Sequence, residues 1–198
     1  AILNDMTLLG VGSGAGVSST LNSTAGGIGT GYQYAAWKGQ IAYTTPNFNG
    51  FQATAGLTQA WNQITADGAD NGSGLSWNNG QARGGASSAY EGKASYSFAA
   101  NDVTGKIWVS GIAQRVGSFG IYENEDSVAY AGDIGAKVSA AGFELVGYYY
   151  GGTGIGTEGQ FMNAYGKSGT NKVAGRDSNG GYVQLAYTLP TKTKAAIS

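Results

Sequence analysis

Residues 37–62 read WKGQIAYTTPNFNGFQATAGLTQAWN: two runs of alternating residues around a Pro/Asn/Gly turn. In the first run Trp37, Gly39, Ile41 and Tyr43 share a strand face, with Lys38, Gln40, Ala42 and Thr44 on the other. In the second, Phe51, Ala53, Ala55, Leu57 and Trp61 oppose Gln52, Thr54, Gly56, Thr58 and Ala60, with Gln59 the exception. The stretch predicts a β-hairpin. On strands tilted as in a barrel, Phe51 and Trp61 lie roughly 25 Å apart along the axis, the height of a lipid-facing band between aromatic girdles.

The pattern repeats outward. Residues 88–99, 104–116, 127–139, 143–150 and 181–189 each alternate, and a further strand begins after the turn at 190–194. Short connections alternate with long ones. In an up-and-down meander this places tight turns at one end and extended loops, at 62–87, 117–126 and 151–180, at the other, as in outer-membrane barrels. The facing of 104–116 stays open, because Trp108 and Ile112 share parity with Lys106 and Gln114.

Composition narrows the function classes. The 198 residues fit one β domain, spanning 1–198. Thirty-six glycines, two prolines and 12% aromatics favour strands and turns, while a charged share of 12% is low for a water-soluble domain. A net charge of −1 offers no basic surface for nucleic acid. With no cysteine and no histidine, thiolate metal sites and the commonest general base are excluded. No catalytic set, metal site or cofactor site is predicted, and the chain is not expected to be an enzyme. Residues 1–10 lack a basic n-region and a cleavage pattern, as expected for a mature or internal stretch.

Period-2 alternation alone does not say which face is inside, and by itself it fits a soluble sandwich better than a membrane barrel. Three features reverse that preference. The apolar face holds many small residues, such as Gly39, Ala53, Gly92, Ala94, Gly132 and Gly147, which fill a core poorly but suit lipid. Aromatics gather near strand ends, giving Trp37, Tyr43, Phe51, Trp61, Tyr90, Phe98 and Tyr187 as girdle candidates. The loops are long at one end only. The fold expected is therefore all-β: an antiparallel up-and-down transmembrane β-barrel, with strands over 34–198. Lys38, Gln40, Glu91, Lys93, Lys106, Asp133, Lys137 and Glu144 then line water inside it, with Glu91 and Lys93 close enough to pair. The glycines of GTGIGTEG (152–159) and GKS (166–168) lack the strand-to-helix setting of a phosphate loop and read as loop residues. Glu123, Glu125 and Asp126, like Asp67, Asp70 and Asn71, read as solvated loop acids rather than Ca²⁺ ligands.

IAYTTPNFNGFQATAGL (41–57), with Tyr43, Thr45, Pro46, Phe48, Gly50 and Phe51, resembles the strand–turn–strand segment of Gram-negative general porins. DMTLLGVG (5–12), GTGYQYAAWKGQ (29–40), EGKASYSF (91–98), GKIWVSGI (105–112) and GGYVQLAYTLPTKTK (180–194) resemble a proteobacterial branch of the same family. The resemblance implies a trimeric barrel of about sixteen strands in the bacterial outer membrane, of which this sequence is an internal fragment. It implies contact with outer-membrane lipid and passive diffusion of small hydrophilic solutes and ions. It also makes residues 1–31 the constriction loop, with Asn4 and Asp5 as its polar candidates, although the acidic motif of some porin constrictions is absent. The expected alternatives are a structural or adhesive envelope β protein binding through its long loops, and a soluble sugar-binding sandwich.

Overall fold

The computed structural model describes residues 39–60, 88–117, 123–156 and 164–197. In chain order the strands are β1 (Gln40–Thr44), β2 (Phe51–Gln59), β3 (Ser88–Ala100), β4 (Val103–Arg115), β5 (Glu123–Asn124), β6 (Val128–Ala140), β7 (Phe143–Thr153), β8 (Tyr165–Gly169), β9 (Lys172–Gly175), β10 (Asp177–Thr188) and β11 (Lys194–Ile197). Eight of them form one antiparallel sheet ordered β1-β2-β3-β4-β6-β7-β10-β11. The remaining three form a small sheet, β5-β9-β8, in which β5 and β9 run parallel. Among the described residues β1 and β11 are the edges of the large sheet, so these strands make an open sheet rather than a closed barrel.

The meander is local. Each strand pairs with the next strand of the large sheet, and its tight turns all lie at one end, with the long connections at the other. At Asn49-Gly50 the chain reverses between Phe48 and Phe51, whose backbone N–H groups each donate to the other's carbonyl at 2.8 and 3.0 Å. Both loop residues hold positive φ, 50° and 95°, which is the twist a two-residue hairpin needs and the reason Asn-Gly suits it. Ala141-Gly142 repeats this geometry between β6 and β7, but places an alanine at φ 50°.

Register decides the faces. Tyr96 of β3 stands opposite Ile107 of β4, which stands opposite Ala136, then Gly147, then Val183. The neighbouring row runs Ala94, Val109, Ile134, Tyr149. Ile107 and Val109 thus lie on the apolar face, and Trp108 and Ile112 on the polar one, which settles the open facing of 104–116. The apolar face is bare: Ile41 is 74% exposed and Ile134 60%.

The buried cluster lies on the opposite side. Ala129, Ala131 and Tyr150, all on the polar face near the loop end, pack with Val116, Ile155, Ala164, Tyr165 and Val173. The small sheet therefore docks on the polar face and not on the apolar one. The long loop expected over 151–180 is corrected accordingly. β7 continues to Thr153, β10 begins at Asp177, and β8 and β9 form a hairpin between them. Small side chains on β6 admit the large Tyr165 ring, which alternation alone does not encode.

Candidate functional site

All the expected lumen residues that the structure describes, Gln40, Glu91, Lys93, Lys106, Asp133, Lys137 and Glu144, fall on the polar face. Gln40 opposes Thr58, Glu91 opposes Gly56 and Ile112, and Lys93 opposes Thr54 and Ser110. Lys106 opposes Lys137, and Asp133 lies between Ser110 and Tyr150. The expected girdle residues Tyr43, Phe51, Tyr90, Phe98 and Tyr187 all lie on the other face and are exposed. Tyr43 pairs with Ala55, inside the run of β2 rather than at its end. Trp37, Lys38, Trp61, Asn4, Asp5 and the 1–31 loop lie outside the described residues.

Charges on this face are arranged in two groups. Towards the turn end Glu144 accepts from Lys137 with one carboxylate oxygen and from Lys194 at 2.7 Å with the other, linking β6, β7 and β11. Lys106 stands directly across from Lys137, so Glu144 offsets a local cluster of positive charge. Nearer the middle, the Ser110 hydroxyl donates to Asp133 Oδ2. Asp133 is only 8% exposed, and its Oδ1 has no hydrogen-bond donor. A buried carboxylate oxygen left without a donor is unfavourable, so Asp133 is held at a local cost on this face.

The small sheet overhangs this surface at the loop end. Asp126 holds it together: its carboxylate accepts the Gly175 N–H at 2.8 Å, and its carbonyl accepts the Tyr165 hydroxyl at 3.0 Å. Lys172 donates to Glu125 at 3.2 Å. The Ser168 hydroxyl and then Lys172 stabilise the Glu125 carboxylate and lower its pKa, while Glu125 raises that of Lys172. Burial raises the pKa of the Tyr165 phenol, keeping it a neutral donor. Asp126 is thus corrected from a solvated loop acid to a tie between two loops, while Glu125 stays solvated and pairs with Lys172 at the surface. Gly166 and Gly169 belong to β8 rather than to a loop.

Sequence reading put aromatics at the parity of the polar residues but named none of them as site residues. Trp108, Tyr148, Tyr150 and Tyr182 all lie on the polar face, with Tyr148 5.6 Å from Tyr182 and 6.1 Å from Tyr150 between ring centroids. The available signal was their parity: each sits an even number of residues from a charged or amide residue of its own strand, as Tyr148 does from Glu144. Compared with protein-family models, curated proteins and solved structures, the chain gives no match to any of them.

Proposed function

We propose that this chain forms part of the wall of an outer-membrane porin, a passive water-filled channel for small hydrophilic solutes and ions. The observation that carries the reading is the inverted facing of the large sheet. Isoleucine, valine, leucine and aromatic side chains stand exposed across one side, while lysine and carboxylate side chains share the other with the buried cluster. In water this arrangement leaves a broad apolar surface bare, which soluble monomers avoid. Against lipid it is the stable one.

Strand length agrees. Thirteen residues, as in β3, β4 and β6, reach roughly 30 Å along a tilted axis, enough for the hydrocarbon layer and its edges. The exposed edges at β1 and β11 have no place in lipid unless further strands pair with them. Closure therefore requires strands beyond those described, consistent with the barrel of about sixteen that the porin resemblance implies. In this reading the partners are outer-membrane lipid and two further copies in a trimer, and no chemistry or cofactor is involved.

Reconstitution of the intact protein in planar bilayers tests this reading. Stepwise, nearly ohmic conductance is expected, together with an SDS-resistant oligomer that dissociates on heating. A folded oligomer that never conducts would favour an envelope anchor that binds through its loops.

A further inference from the structure

One row across the polar face is largely aromatic. Ser95 on β3 stands opposite Trp108, Trp108 opposite Gly135, Gly135 opposite Tyr148, and Tyr148 opposite Tyr182. Gly135 is required there because a methyl group at that position would overlap the Trp108 indole, which lies across it. The Tyr148 and Tyr182 rings are inclined by 34° at 5.6 Å. Trp108, Tyr148 and Tyr182 are half-buried, whereas Tyr150, beside Tyr148, is closed under the loop sheet. From Trp108 to Tyr182 the row spans four strands, roughly 14 Å at the usual interstrand spacing.

A water-lined wall gains nothing from large rings at this parity except cross-strand packing, which a smaller side chain also supplies in part. Polar groups flank the row. Ser95 lies at one end, Gln184 two residues along β10 from Tyr182, and Asp133 two residues along β6 from Gly135. Of these, Ser95 and Asp133 are buried, and Gln184 is half-buried. Aromatic faces with tyrosine hydroxyls and an amide at their edges match a ligand whose ring faces are C–H surfaces and whose rim carries hydroxyls.

We propose that Trp108, Tyr148 and Tyr182, flanked by Gln184, form a saccharide-binding strip on the polar face. The rings stack on the flat faces of successive sugar residues, and the part-exposed Gln184 amide pairs with a sugar hydroxyl. The inference uses the facing of the sheet and not its closure into a channel.

Calorimetric titration of the intact detergent-folded protein with maltotriose and with cellotriose tests it, with indole as a planar control. Binding of either trisaccharide is expected, weakened about fivefold or more by Tyr148→Ala and nearly retained by Tyr148→Phe. Tyr182→Ala carries the same test if Tyr148→Ala fails to give the heat-modifiable oligomer. Absence of trisaccharide binding, equal affinity in folded alanine variants, or binding of indole alone would overturn the inference. A protein that conducts but binds no trisaccharide loses only this inference. One that binds but does not conduct loses only the porin reading.

Discussion

Ile134 and Glu144 test the two faces one side chain at a time. Ile134 is exposed mid-sheet between Val109 and Tyr149. If that face meets lipid, Ile134→Lys destabilises the folded protein by about 2–4 kcal/mol. If it meets water, the change stays within about 0.5 kcal/mol. Urea titration in lipid vesicles separates the two, and a near-neutral result would remove the lipid-facing assignment. Glu144 bears on the opposite face, where it joins Lys137 and Lys194 beside Lys106. Glu144→Gln leaves three lysines with no carboxylate among them. We expect the reversal potential in a KCl gradient to move towards anion selectivity, and no movement would mean these charges lie away from the ion path.

The small sheet β5-β9-β8 behaves as one element because its ties are internal. Asp126 binds both Tyr165 and Gly175, and Tyr165 and Val173 are fully buried against β6 and β7. Tyr165→Ala removes a filled ring and its hydrogen bond, a loss of about 3 kcal/mol. The whole element should then lift from Ala131. The chain has no cysteine, so a single Ala131→Cys reports this cleanly. Its labelling by a charged thiol reagent should be slow, and fast when Tyr165→Ala is added. Acid should act in the same direction. The Glu125 pKa is lowered by Ser168 and Lys172, so its contribution is present above its unfolded pKa and fades as pH falls through the lowered folded value. Hydrogen exchange in β9 that, after correction for the intrinsic rate at each pH, is indifferent to acid would show that the Glu125–Lys172 tie contributes little. The turns give a second element-scale prediction. Ala141 occupies a left-handed conformation in a two-residue hairpin turn, so Ala141→Asn, which restores Asn-Gly, should stabilise by about 1 kcal/mol. An unchanged midpoint in urea would show that the turn tolerates alanine without strain.

Across the whole molecule the decisive property is what becomes of the two sheet edges. β1 and β11 each have one partner among the described strands. In a closed barrel their remaining backbone N–H groups are paired and slow to exchange, and in an open sheet they exchange freely. Deuterium exchange on the intact detergent-folded protein should show β1 and β11 nearly as protected as β4. Rapid exchange at either edge would argue against closure.

The sequence by itself determined the eight strands of the large sheet, their order and, outside 104–116, the division of their residues between two faces. Side chains alternate with a fixed period of two, and turns such as Asn49-Gly50 are local devices. Asp133, Lys137 and Glu144 were therefore legible as companions on one face before any register was known. What only the tertiary structure decided was contact between segments far apart in the chain. That includes the docking of Tyr165 and Val173 on Ala131, the joining of Glu144 to Lys194, the orphaned oxygen of Asp133, and the alignment of Trp108 with Tyr148 and Tyr182 across Gly135. Alternation fixes the side of the sheet a residue faces but not the residues opposite it. That depends on register summed over several strands, and on loops that fold back over the face.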